Sequence, residues 1–530
     1  TTFADLISGV DSEVARFFTV PLEEFGKVPR TPICYSTPEA VRNLHSNDLK
    51  IDADQAKIEG RSVGHTAPGL QTADNSRFIR YLWETNGLEE FEPIAKGGSN
   101  AWVVPPIKET INWTGDGQEM MRANQEAWTR NKHLYGRPGL AWTYIKDTGR
   151  RFGYYPGGLF SHTSLMLFPK GEKSLWQMMS ILNSSLYHAL FLSLTTERHW
   201  NAGEVGSVPW LKQLEGIEKI EQTAKSQYRT VLKERIQDPV SPYYAAPSLY
   251  PSTDEEFEFL YDHPHGEAVK SELDVKRQST SPVTSIVEAA RNSRKEQLKR
   301  QQRLETLSNQ TDELIYDNLK ISEQSRKRIQ EEIFLRTSEE PSDREVPDPE
   351  SVPEVPDNID VQVKDLVHHF AMVAVREEDD GIVPLHEVDD EPDMVSRIVE
   401  RFENAYGEHA EDRLVEVDEI LGAESPAEEA YPNLRQWIAE DLFDYHVSRM
   451  ENTPIVWMLT TERLLADSTG EGFACFLDYH SLDSGLFDRL SNQYLEPRKA
   501  ELREQRSAAN RRRSDDSLSA TEQAEAAEQY

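Results

Sequence analysis

Residues able to do covalent or metal chemistry occur in this sequence, but without the spacing that such chemistry needs. His263-Pro264-His265 and His368-His369 supply imidazoles, yet neither pair has Cys or further His at metal-ligand distances. His368 and His369 follow an amphipathic helical run and read as helix-surface or core residues. Ser241-Pro242-Tyr243-Tyr244 puts aromatics after a proline but lacks the amide or carboxylate that would grip an amino group on a base, so it reads as loop. Asp348 and the Asp360 to Lys364 string faintly echo a metal-dependent nuclease, but the pattern lies across an acidic linker and reads as a solvated charge run. Asp467 to Gly472 holds a lone G-x-G, best read as a turn. There is no G-x-x-x-x-G-K-[ST] loop, no G-x-G-x-x-G between strand and helix, and no G-x-S-x-G elbow. Neither Cys34 nor Cys475 has a plausible His partner. The expectation is no catalytic residue and no metal site, in a chain that is not a self-sufficient enzyme.

Three segments read instead as a recognition surface: His65 to Glu84, Ile94 to Trp113 and Arg137 to Phe168. They interleave arginines, amides and indoles with glycine turns. Guanidinium groups bind phosphate or the guanine edge bidentately, and Asn or Gln reads adenine. The candidate contacts are Gln71, Asn75, Lys96, Asn100, Asn112, Arg130, Lys132, Arg137, Lys146, Arg150 and Arg151. The plainer reading makes Trp102, Trp113 and Trp142 core aromatics and the arginines ordinary surface.

Charge locates the surface further. The 530 residues carry 93 acidic and 58 basic side chains, a net of −35. About 21 of the basic residues are lysine, and a carboxylate-rich, lysine-poor composition suits a protein adapted to molar salt. Up to Leu211 the net is only about −2; the remainder holds about −33. Within Ala101 to Lys173 the sign reverses, with about ten basic residues against six acidic. Two cysteines fit a reducing compartment, and no apolar run approaches the roughly 20 residues of a membrane span. A cytoplasmic protein without a leader is expected.

The elements that must position these residues follow from periodicity. The expected class is α+β, a β-rich domain followed by long helices and a mostly helical C-terminal domain, without a doubly wound Rossmann domain. Residues 1–60 read as an amphipathic helix (Phe3, Leu6, Ile7, Val10) and an extended connector. Residues 61–211 read as a β-rich recognition domain, with β-like runs at Trp102-Val103-Val104, Leu140 to Ile145, Leu159-Phe160 and Leu165 to Phe168 and one helix, Ser174 to Leu194. Residues 212–338 read as helical, with a long charged stretch from Pro282 to Arg336. Residues 339–360 form an acidic, proline-rich linker. Residues 361–503 form a helical C-terminal domain with β-like cores at 454–459 and 472–477. Residues 504–530 are a polar tail, a helix without a partner or disordered.

The order of several blocks resembles the target-recognition region of large adenine-specific DNA methyltransferases, namely the PglX-type enzymes of BREX phage-defence systems and, more distantly, type IIG restriction–modification enzymes. Phe25 to Tyr35 fits an F-x-x-I-P-G-x-P-I-x-Y-like block. Gly69 to Phe78 fits G-L-x-T-G-D-N-x-R-F, with Ala73 where glycine is usual. Lys96 to Trp102 fits K-G-G-x-x-x-W, Ile111-Asn112-Trp113 fits V-N-W, Leu182 to Ser185 fits an N-S-like helix, and Gly203 to Pro209 fits the closing G-x-[IV]-x-x-[IL]-P. Asp380 to Leu385, Trp437 to His446, Arg449 to Trp457, Phe476 to His480 and Tyr494-Leu495 resemble the family's helical C-terminal region, so the resemblance runs from Phe25 to Arg503.

The family's catalytic domain lies upstream of these blocks, and its motifs do not occur here. The resemblance therefore implies a C-terminal portion, whether split subunit, truncated copy or fragment. It also implies N6-adenine methylation by a complete enzyme. S-adenosylmethionine would sit on the catalytic domain or a partner subunit, and no cofactor is expected on this chain. The expected partners are double-stranded DNA, a methyltransferase catalytic domain or subunit and other defence-system proteins, with no membrane. The competing expectation is an acidic scaffold that holds defence partners without touching DNA; a nuclease in the C-terminal unit lacks a D/E-x-K set.

Overall fold

The computed structural model describes residues 2–5, 16–97, 102–146, 149–195, 198–251, 258–273, 280–337, 346–388, 391–422, 430–461, 472–515 and 517–529. It is a mixed α+β protein with a sheet-rich N-terminal part and helical bundles toward the C-terminus. The chain folds into two compact units, each assembled from several stretches of sequence. The first comprises Thr1–Ala245, Glu256–Arg277 and Arg294–Val352; the second comprises Ala246–Glu255, Gln278–Ser293 and Pro353–Tyr530.

The first residues form strands rather than the expected helix: β1 (Thr2–Asp5) pairs antiparallel with β2 (Arg16–Thr19). The Arg-Phe-Phe-Thr run is β-favouring, and its pairing overrides the helical spacing of Phe3. Leu6, Ile7 and Val10 lie outside the described residues.

Two four-stranded sheets follow. One is built from β3 (Gly64–Ala67), β7 (Gly139–Thr143), β8 (Gly153–Tyr155) and β9 (Ser164–Pro169), all antiparallel, in the order β8-β7-β9-β3. The other uses β4 (Ile79–Tyr81), β5 (Phe91–Ala95) and β6 (Glu109–Asn112), with Leu159–Phe160 added parallel to β5 at its edge. Leu159–Phe160 falls between β8 and β9 in the chain, so the backbone leaves the first sheet, joins the second and returns.

Period-two alternation assigns the faces. Leu140, Trp142, Leu165 and Leu167 face a core shared with helices, whereas Ala141, Met166 and Phe168 share a core with Ala95 and Phe160 of the second sheet. On that sheet's far face, Ile94, Ile111 and Leu159 pack with Leu70, Phe78 and Met120. Gly69 permits the approach of its loop to the second sheet: a Cβ there would lie 1.7 Å from the Phe160 carbonyl oxygen. Trp102-Val103-Val104 forms no strand, only a single bridge from Val103 to Gly153.

The helix expected over Ser174 to Leu194 is two, α1 (Leu175–Leu182) and α2 (Ser185–Leu192). Asn183 and Ser184 break it because their side chains bond backbone groups; Ser184 accepts the Tyr187 N–H as the cap of α2. Helix α3 (Glu218–Arg235) packs on α1 and buries Ile220, Tyr228 and Leu232 in the same core. After α4 (Pro264–Leu273), the charged stretch is also divided, into α5 (Ile286–Asn318) and α6 (Glu323–Thr337), with Lys320 at φ +55° in the turn.

The second unit centres on α7 (Ile359–Arg376), which packs against α8 (Met394–Tyr406) and α9 (Ala410–Leu421); α10 (Pro432–Glu440) and α11 (Leu442–Arg449) complete the bundle. Its sheet holds β10 (Ile382–Pro384), β11 (Val456–Thr460) and β12 (Ala474–Asp478), antiparallel with β12 in the middle. The polar tail is helical: α12 (Glu496–Arg513) and α13 (Ala520–Gln529) pack together. Among the described residues, no helix is long and apolar enough to cross a membrane.

Histidines lock several of these elements. His446 Nε2 accepts the N–H groups of Ile455 and Val456 at 3.1 and 3.0 Å, so its proton sits on Nδ1, which donates to His368 Nε2 at 2.8 Å. Burial lowers His446 to about 3 and takes His368 well below its ordinary value. In the first unit, burial lowers His45 to about 3 and His265 to about 4, and takes His263 well down. All five stay neutral in the fold while the unfolded chain protonates near 6.5. Their contribution is therefore full above about 6.5 and lost as pH falls toward 4 and 3, by up to about 1.4 kcal/mol per pH unit for each histidine. The denaturation midpoint should fall between pH 6.5 and 5, above the range where ordinary carboxylates titrate; a flat midpoint across that window would contradict these locks.

Candidate nucleic-acid interface

The candidate cations separate into an exposed group and a buried one. The exposed group grows from the far face of the second sheet. Gln71 and Trp128 exchange both backbone hydrogen bonds at 3.0 Å, joining the loop after Leu70 to the segment after helix Gln118–Ala123. Arg130 lies over the Trp128 ring, 4.2 Å from its centroid. Lys132 donates to the Asp116 carbonyl at 2.7 Å and lies 5.5 Å from the centre of Trp113, whose ring packs edge-on against Tyr135. Arg130, Lys132 and Arg137 are exposed, with Arg137 near the Phe168 ring. Cations held on aromatic faces keep their charge toward solvent in a fixed place, each contact worth about 0.5–1 kcal/mol at such sites.

Polar side chains border the same group. Asn75 is the exposed first residue of helix Asn75–Phe78; its Oδ1 accepts from the Thr72 hydroxyl, and Asp74 caps the helix through the Arg77 N–H. The preceding Ala73 holds φ +57°, a left-handed conformation that explains why glycine suits this place in the resembled pattern. Asn124 Nδ2 donates to the Ala73 carbonyl at 3.3 Å and fixes that turn. Asn112, at the end of β6, accepts the Thr114 N–H at 3.1 Å.

Lys96 stands apart, half-buried at the end of β5. It lines a small pocket with Pro105, Thr143, Arg151 and Ser164. Gly97 beside it has no room for a side chain, since a Cβ would lie 2.2 Å from the Thr163 carbonyl. Asn100 lies outside the described residues.

The remaining candidates turn inward and correct the sequence expectation. Lys146 is buried with its ammonium on the Arg150 carbonyl. Arg151 is 2% exposed, donates to the carbonyls of Arg198 and Lys146 at 3.4 and 3.3 Å, and lies 4.1 Å from the Trp200 ring centre. Arg150 is half-buried against Trp102 and donates to the Asn183 carbonyl at 3.1 Å. Lys146 and Arg151 cannot reach a phosphate while this packing holds; Lys146 braces the β7–β8 connection from within, and Arg151 ties it to the non-helical segment of Arg198 and Trp200. Basic composition alone does not distinguish them from the exposed group.

The Asn183-Ser184-Ser185 block completes this knot. Asn183 accepts the N–H groups of Arg151 and Phe152 at 3.3 and 3.1 Å and donates to the Phe152 carbonyl at 2.8 Å. Ser185 gives its N–H and hydroxyl to the two oxygens of buried Asp312 at 2.8 and 2.6 Å. Burial raises the Asp312 carboxyl, opposed by the Arg150 charge and the Ser185 bonds.

Several of the other residues that the sequence offered for chemistry make packing contacts among the described residues. Tyr243 and Tyr244 of the 241–244 loop are buried, with Tyr243 pushed up to about 12 by burial. His265 Nε2 meets the Gly157 carbonyl, and Lys364 pairs with Asp360 one helical turn away at 3.5 Å. Burial raises the Cys475 thiol to about 12 and raises Cys34 as well. Of the G-x-G stretch, Asp467 to Glu471 lie outside the described residues. Sequence reasoning missed Trp128, the platform under Arg130; its signal is the Trp-x-Arg spacing of residues 128–130.

No protein-family profile matches the chain. The adenine-specific methyltransferase BrxX of Escherichia coli O9:H4 (strain HS) is 25% identical over 202 residues, covering 36% of this chain and 16% of BrxX. The similarity is a distant link to an adenine-specific methyltransferase, over a small part of that protein's length.

The two cation groups should separate under mutation. Arg151→Ala should cost about 2–3 kcal/mol, because it removes a charge-assisted bond from the buried Lys146 carbonyl and a part-buried one from Arg198, whereas Arg130→Ala should stay within about 0.5 kcal/mol. Urea unfolding of both variants checks this; equal stabilities would mean the knot is not structural.

Proposed function

We propose that this chain recognises a DNA target and docks a partner for an adenine-specific (N6) methyltransferase of BREX or restriction–modification type. Methyl transfer from S-adenosylmethionine would be supplied by a catalytic domain or subunit bearing the motifs this sequence lacks. The observation that carries the reading is the exposed module in which Arg130 and Lys132 rest on Trp128 and Trp113 beside Gln71 and Asn75. Oriented cations suit phosphate oxygens, and neighbouring amides suit base edges. The distant similarity to BrxX and the net-basic stretch in an acidic chain support it.

In this arrangement Arg130, Lys132 and Arg137 neutralise backbone phosphates, with Gln71, Asn75 and Asn112 as base readers. Lys96 contributes from its pocket edge. Arg150 is a positioning residue, holding the module's scaffold through Asn183.

Binding of the full chain to duplexes across a salt series tests the proposal. Replacing Arg130, Lys132 and Arg137 together by glutamine should reduce the slope of log K against log salt by about 3. Gln71→Ala should cost about 1–3 kcal/mol and relax preference at one base pair. No duplex binding by the wild-type chain at any salt would overturn it in favour of an acidic scaffold.

A further inference from the structure

We propose that α12 carries a second polyanion-binding surface, a basic stripe shaped for a nucleic-acid backbone and independent of the face described above. Charge gives the first indication. From Pro353 to Leu495 there are 34 acidic and 9 basic residues, a net of −25; Glu496–Arg513 then holds 7 basic and 3 acidic, a net of +4. Such a reversal within an acid-dominated chain is not what solubility requires, since the surrounding surface already supplies ample charge.

Spacing turns the reversal into a surface. At 100° per residue, Lys499, Arg503, Arg506 and Arg513 fall within about 80° of one another on the helix, with Asn510 continuing the row. Glu501 and Glu504 fall on the opposite side. Arg503, Arg506 and Arg513 are exposed, and Lys499 is partly exposed and paired with Glu496 at 2.5 Å, an acidic residue that borders the stripe and also feels the Arg503 charge. The fourteen helical rises from Lys499 to Arg513 span about 21 Å, close to six base-pair rises of duplex at about 3.4 Å each along one strand.

The neighbouring helix leaves this face open. Helix α13 packs against α12, and each helix buries one alanine, Ala509 and Ala526. Ala509 sits on a different side from the centre of the stripe, and Glu522 of α13 feels the charge of Arg512, which lies off it. Gln523 donates to the carbonyls of Asp515 and Leu518, fixing the return of the chain. The acidic α13 thus braces α12 from the flank, and the row of cations faces outward. The occupant that matches a linear array of arginines is a linear array of phosphates, which guanidinium groups bind bidentately.

The test uses the full chain in which Arg130, Lys132 and Arg137 are already glutamine, so it stands whether or not the first face binds DNA. Fluorescence anisotropy with a 30-base-pair duplex is measured across salt. Adding Lys499→Gln, Arg503→Gln, Arg506→Gln and Arg513→Gln should lower the salt slope by about 3–4 and weaken binding at least tenfold at low salt. Arg511→Gln with Arg512→Gln, off the stripe, should change binding less than threefold. Duplex should displace a labelled duplex far better than polyglutamate of matched charge. Equal binding with and without the four stripe cations, equal loss from the off-stripe pair, or equal displacement by polyglutamate would each overturn the assignment. Circular dichroism of every variant checks that α12 remains helical.

Discussion

The side-chain amide of Asn183 is the interaction on which the first unit depends. A single residue at the break between α1 and α2 accepts two backbone N–H groups at the start of β8 and returns a bond to the Phe152 carbonyl. Its own carbonyl takes the Arg150 guanidinium, and two residues on, Ser185 grips Asp312 of α5. Sheet, helix pair and long helix therefore meet at three consecutive residues. A continuous helix would forfeit those contacts, because the amide and hydroxyls could not leave their own backbone to serve a neighbour's.

The legible part of the fold is the part written in alternation. Leu140 and Trp142, or Leu165 and Leu167, declare strands with two faces, and the structure uses both faces as separate cores. The N-terminal segment escapes its sequence pattern because Phe3 has helical partners in sequence while its actual partner lies in β2. The long helical tracts show their periodicity but not their breaks. Asn183-Ser184 and Lys320 are local exceptions whose effect is decided by distant acceptors and turn geometry rather than by propensity.

For the candidate site, residue type is readable and orientation is not. Arg130 and Arg151 are the same residue in the same basic stretch, yet one stands on an indole in solvent and the other is enclosed by carbonyls. Whether a cation meets solvent depends on which sheet face carries it and on what packs above. The charge balance locates the region; only three-dimensional placement separates scaffold from surface.

The detour of Leu159–Phe160 carries a mechanical consequence. Three residues on either side connect it to β8 and β9, so the same short piece of chain is stitched into both sheets. That stitch leaves no slack for one layer to shear across the other. Any adaptation of this part to a ligand would have to come from turns and side chains around a rigid two-layer frame whose shape is set beforehand.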